Sequence, residues 1–171
     1  MNWYKIVNTI CRKLSAKYNV PIESVVGILV TLSAQKDWKT NIRQTIQFLK
    51  YGRILDGMYS QVHLTNCKRI VNGIDPLDIW GKNSFKYRNF YGSIIDPEDT
   101  KPVCIDTHMI NWYKAKYQRS ILNKVGKEKI FTSKRYYTLI QNAVRKEAKI
   151  MGLIPSHTQA VIWVNQRKSM F

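Results

Sequence analysis

Apolar residues recur at helical intervals along almost the whole chain. Trp3, Ile6, Val7, Ile10 and Leu14 share one face, with Lys5, Arg12 and Lys13 among the polar positions, which predicts an amphipathic helix ending near Asn19. Pro21 suits an early helical position, where its missing N–H costs nothing. From there to about Ser33 the chain is apolar nearly all round, as in a central helix packed on several sides, and Gly27 inside it permits close helix approach. A third helix is predicted from Asp37 to Lys50, with Asp37 as cap, Ile42, Ile46 and Leu49 directed inward, and "YGR" as its end. Shorter helical patterns cover Val62 to Val71, closed by Asn-Gly, and Asp75 to Trp80, opened by Asp-Pro. Another covers Phe85 to Ile94.

The second half continues in the same way. Asp96 to Pro102 reads as a loop, because two prolines and three acids leave little to bury. A β-leaning run, "VCI", then meets Asp106, which is placed to cap a helix carrying Met109, Ile110 and Trp112 and reaching about Tyr117. "NKVGKEK", residues 123–129, reads as a basic loop. Tyr137, Ile140, Val144, Ala148 and Met151 form an apolar stripe on a helix ending at Gly152, with Arg135, Arg145, Lys146 and Lys149 opposite. The last segment has two tendencies: "AVIWV" favours a strand, but Ser156 and Gln159 have capping-box spacing after Pro155, which predicts a helix. The expectation is an all-α protein.

At 171 residues and 44% hydrophobic content, the chain can bury a real core as one compact domain, with room for two lobes. Charge adds a partner class. Lys and Arg number 28 against 11 Asp and Glu, for a net +17, and such a field attracts polyanions by displacing their counterions. Nucleic acid leads over the plainer roles of keeping the protein in solution or guiding it to anionic membranes. The charge is uneven: residues 1–81 carry 11 basic and 5 acidic groups, and residues 82–171 carry 17 and 6. The second half is therefore the expected polyanion face. Cys11, Cys67 and Cys104 stand far apart with no C-x-x-C spacing, which suggests neither a zinc nor an iron–sulfur site and fits a reduced, intracellular setting. The N-terminus lacks the uninterrupted apolar region of a secretory signal, and "SVVGILVTL" is too short to span a bilayer. No P-loop or dinucleotide fingerprint occurs, and Ser33 and Ser156 have no visible His/Asp partners for nucleophilic hydrolysis.

Three short signals occur in order: "LSAQ" at Leu32 to Gln35, "SFKYRNFYGSI" at Ser84 to Ile94, and "IDTH" at Ile105 to His108. Together they resemble the helix-hairpin-helix DNA glycosylase superfamily, across about Val25 to Trp112. A closer likeness, to small phage-encoded proteins, adds Lys86, Phe90, Tyr91 and Ile94 and a late "QAVIW", Gln159 to Trp163, and extends over nearly the whole chain. The resemblance implies a compact two-lobed helical fold with a degenerate helix-hairpin-helix. Its middle lobe would cover about residues 36–94, and its second lobe residues 1–35 and 95–171. It implies an enzyme that extrudes a nucleotide and cleaves its N-glycosidic bond. Alternatives are a phage DNA base-modification enzyme on the same scaffold, or a non-enzymatic DNA-binding protein. The partner would be DNA, with RNA as an alternative, and the protein a monomer without membrane, metal or cofactor. If phage-encoded, it would act in the host cytoplasm.

The borrowed roles have a physical logic. Breaking an N-glycosidic bond builds positive charge on the sugar, which a fixed carboxylate stabilises; by resemblance that carboxylate is Asp106, and capping is compatible with the role. Lys86, 20 residues earlier, matches the place of a lysine nucleophile in bifunctional superfamily members, although a lysine gripping phosphate or facing solvent reads equally well. The hairpin departs from pattern: alignment on Lys86 puts Lys82 and Ser84 where two glycines belong, with only Gly81 nearby. Lys82, Lys86 and Arg88 then replace backbone phosphate contacts with side-chain charge. Gln35 stands where superfamily members fill the gap left by an extruded base, or is an ordinary residue at a helix end. Trp38 stacks on a base or staples two helices. His108 and Lys114 are taken as phosphate contacts, His108 with a structural role as the alternative.

Overall fold

The computed structural model describes residues 3–57, 59–118 and 121–168. The protein is all-α: the described residues form helices, turns and loops, with no strand. By internal contacts the chain divides into two compact units, one of residues 6–81 and the other of residues 82–171 together with the first residues of the chain. These bounds differ from the expected lobes, since residues 6–35 belong with the middle segment and residues 82–94 with the C-terminal one.

Helix α1, Trp3–Tyr18, begins in one unit and continues in the other; Asn19, at φ 51°, ends it. Its buried row is Tyr4, Val7, Cys11 and Leu14, and Ile6 is exposed. The predicted stripe is thus rotated, because Tyr4 and Cys11 take inward positions that their polar atoms did not suggest. In the middle unit, α2 (Ile22–Leu32) is buried continuously from Ser24 and packs against α3 (Trp38–Tyr51), α4 (Gln61–Val71) and α5 (Pro76–Trp80). Gly27 allows this: a Cβ there would lie 2.4 Å from Pro76 Cγ. Ile28 and Leu32 join Phe48, Cys67 and Ile70 in the core. Asp37, Ser60 and Asp75 each cap the following helix through a side-chain oxygen, and Gly52 ends α3 in the left-handed region.

Helix α3 departs from its predicted face. Its buried side chains are Asn41, Gln44, Thr45 and Phe48, while Ile42, Ile46 and Leu49 are only half-buried. The inward polar groups have partners: Asn41 donates to Leu29 O (3.0 Å), Gln44 donates to Asp56 O (2.9 Å) and accepts from the Tyr59 hydroxyl, and Thr45 donates to Asn41 O (2.9 Å). Hydrogen bonding offsets part of the cost of burying these amides, although the buried Asn41 Oδ1 has no partner among the described residues.

In the other unit, α6 (Phe85–Ile95), α7 (Thr107–Lys116), α8 (Lys127–Thr132), α9 (Lys134–Met151) and α10 (Pro155–Lys168) surround a core that includes Ile105, Met109, Tyr137, Ile140 and Ile162. The expected basic loop 123–129 is largely helical: a 3-10 turn, Ile121–Lys124, and the start of α8 take it up, because Leu122 and Ile130 are buried anchors on either side. Met151 is exposed, since Gly152 ends α9 just beyond it. The last segment is helical, but not through a capping box: Ser156 lies inside the first turn, and Gln159 accepts instead from the Tyr4 hydroxyl at 2.7 Å. Among the described residues no helix is long and apolar enough to cross a membrane.

Candidate active site

The run Val103 to Ile105 enters the core of its unit outside any helix, fully buried or nearly so, and pairs with no strand among the described residues. Buried peptide groups need partners, and here side chains supply them. Asn89 on α6 accepts from Val103 N–H (3.2 Å); Gln141 on α9 donates to Val103 O (3.0 Å) and also to Asn89 Oδ1 (3.0 Å). Tyr137 accepts from Ile105 N–H at 2.8 Å. Three polar side chains from two helices therefore hold the backbone that delivers Asp106 to the start of α7.

Asp106 is extended, half-buried, and the N-cap of α7, as expected. Its Oδ1 accepts from Met109 N–H at 3.0 Å, and its Oδ2 accepts from Trp163 Nε1–H on α10 at 2.9 Å. One donor on each oxygen fixes the carboxylate plane, while each oxygen retains a further lone pair. The helix N-terminus favours the negative charge. Trp163 also meets the His108 ring edge-on, with centroids 6.0 Å apart; the His108 Nδ1 is buried without a hydrogen-bond partner among the described residues. The late "QAVIW" motif thus does two structural jobs on successive turns of α10: Gln159 takes the Tyr4 hydroxyl, and Trp163 holds Asp106.

Around the carboxylate, neutral groups are kept neutral. Burial first, and then the charges of Cys104 and Asp106, raise Tyr4 well above the usual phenol range. Burial, then Cys104, does the same to Tyr137, against the opposing pull of the Ile105 N–H. Burial pushes the Cys104 thiol up to about 12; Lys86 opposes and Asp106 reinforces the shift. Lys86 and Asp106 thus both act on one thiol, which also contacts Lys86 O at 3.8 Å.

The other expected site residues are spread more widely. Lys86 and Arg88 are half-buried on α6, and Lys82 is exposed before it. Lys114 on α7 donates to Val125 O at 3.0 Å, so its ammonium is partly committed within the fold. Gln35 and Trp38 lie in the middle unit; Gln35 is exposed at φ 56°, a left-handed conformation uncommon for a residue other than glycine or asparagine. Sequence reasoning did not find Tyr4, Asn89, Tyr137, Gln141 or the bond from Trp163. Only the "QAVIW" spacing pointed toward the last.

The site is that of an all-helical protein with an oriented, half-exposed carboxylate at a helix N-terminus, next to a buried thiol that contacts the backbone carbonyl of Lys86. The chain belongs to DUF7178, a family of unknown function, whose model matches residues 1–170. No curated protein and no solved structure matches it.

Proposed function

We propose that the protein is a DNA glycosylase-like enzyme on a two-lobed scaffold with a degenerate helix-hairpin-helix, acting as a monomer on an extruded nucleotide. The observation that carries this reading is the orientation of Asp106 by Met109 N–H and Trp163 Nε1–H. A carboxylate held in this way needs little reorganisation when positive charge develops on a sugar beside it. Water, or the Lys86 amine, attacks the anomeric carbon as the base leaves with the bonding pair; attack by Lys86 leads to a Schiff base and strand cleavage. The hairpin corresponds to the α5–α6 turn, where Gly81, at φ 71°, is followed by Lys82, Asn83 and Ser84. Lys82 and Arg88 contact phosphate, with His108 and Lys114 as further contacts.

A second reading, a non-enzymatic DNA-binding protein, is favoured by one feature: both Asp106 oxygens already accept bonds from the protein, so its capping role is complete without substrate. Mass spectrometry of duplex and single-stranded oligonucleotides carrying normal, damaged and phage-type modified bases separates the two. Base release by the wild type that is lost in Asp106→Asn, with binding retained, is the expected result. Base conversion in place of release would reassign the chemistry to base modification. An unchanged substrate despite tight, salt-sensitive binding would establish the second reading. Borohydride trapping of a covalent adduct, lost in Lys86→Ala, tests the lyase step.

A further inference from the structure

Helix α3 buries amides and leaves its isoleucines half covered. Ile42 and Ile46, one turn apart, face an open groove of about 610 Å³ in the middle unit, with Ile10 of α1 and Leu55 as the other aliphatic contributors. Trp38 and Tyr51 stand toward its two ends along α3. Leu55 and Tyr51 are about half exposed, at 52% and 49%. An apolar groove left uncovered in this way, on a helix that had the option of turning those residues inward, points to an occupant.

The rim specifies the occupant's charge. Lys39, Arg43 and Lys50 line the groove, and α3 contains no acidic residue. Asp56 answers Arg43 at 2.8 Å, leaving Lys39 and Lys50, both exposed, without an acidic partner in any ion pair among the described residues. A second copy of this chain is disfavoured, because a symmetric contact would bring cationic rims together on a molecule of net charge +17. Nucleic acid is the poorer fit, since aliphatic side chains occupy the middle of the groove and its two aromatic rings, Trp38 and Tyr51, stand apart toward its ends, too far from one another to stack successive bases.

We propose that this groove docks an acidic amphipathic helix of a partner protein. Three apolar side chains at i, i+4 and i+7 would enter between Ile10, Ile42, Ile46 and Leu55, with flanking carboxylates over Lys39 and Lys50. The length fits: α3 has 14 residues, roughly 20 Å at the helical rise, which matches several turns of a partner helix.

The test uses dye-labelled helical peptides and fluorescence anisotropy on the full chain. One peptide carries a leucine stripe flanked by glutamates, a second the same stripe flanked by lysines, and a third the glutamates with the stripe scrambled. The glutamate-flanked stripe peptide is expected to bind at least about tenfold more tightly than either other. Ile42→Ser with Ile46→Ser should abolish that preference, with folding checked by circular dichroism. Lys39→Glu with Lys50→Glu, at two exposed positions, should reverse it toward the lysine-flanked peptide. Equal binding of the scrambled peptide would reduce the effect to net charge, and absence of binding would remove the proposal. Displacement by a single-stranded oligonucleotide whose own binding is lost in the serine variant would give the groove to nucleic acid and overturn it.

Discussion

At the scale of single residues, Asp106 and Trp163 form a coupled pair. Asp106→Asn keeps one oxygen for Met109 N–H but turns an amide NH₂ toward the indole N–H, setting donor against donor; the expected cost is about 1–3 kcal/mol of stability. In a Trp163→Phe background the opposing donor is gone, so the same substitution should cost less. A double-mutant cycle by urea denaturation measures the difference, and strictly additive costs would show that the bond contributes nothing. Cys104 makes a prediction at alkaline pH. An unfolded thiol ionises near 9, but Cys104 in the fold holds its proton to about 12. The folded state therefore binds more protons between those values, so stability falls as pH rises from about 9 toward 12 and is unaffected by this group below that window. Cys104→Ser should flatten part of the decline in denaturation midpoints; Cys11 and Cys67, also shifted to about 12 by burial, and the raised Tyr4, Tyr59 and Tyr137 phenols contribute further parts of it.

At the scale of elements, α2 is constrained by what crosses it. Gly27→Ala would bring a methyl group against the Pro76 ring, which has no rotamer to retreat into; overpacking of this kind costs about 1–3 kcal/mol. Urea midpoints with an unchanged slope would confirm it, whereas an unchanged midpoint would mean that α5 moves freely away from α2. Element positions were legible because caps and stops have local causes: Asp37, Asp75 and Asp106 cap, and Gly52 and Gly152 end helices, each where the sequence indicates. Element faces were less legible. Counting only aliphatic and aromatic residues puts Ile42 and Ile46 of α3 inward, yet acceptors outside the helix, Leu29 O and Asp56 O, take the amide donors of the buried Asn41 and Gln44. The candidate site divides in the same way. Asp106 stands out from its own neighbours, but the bond from Trp163 spans 57 positions and the bond from Gln141 to Val103 spans 38, and no local spacing encodes either.

At the scale of the whole molecule, charge makes the broadest prediction. With net +17, and with 17 of 28 basic residues beyond position 81, DNA affinity should fall linearly on a log–log plot against salt. Six or more neutralised phosphates would give a loss on the order of 10³-fold between 50 and 200 mM salt. Filter binding across that range checks it, and a flat response would remove the polyanion as partner. The unit that contains Asp106 also carries a hazard in its core. Val103 to Ile105 is an apolar, strand-prone run in which the Val103 N–H and O and the Ile105 N–H are bonded by side chains and not by a neighbouring strand. Any opening that withdraws α9 takes Tyr137 and Gln141 away together and exposes a strand-prone segment able to pair with the same segment of another chain. Heat inactivation should therefore end in aggregation that quickens with protein concentration.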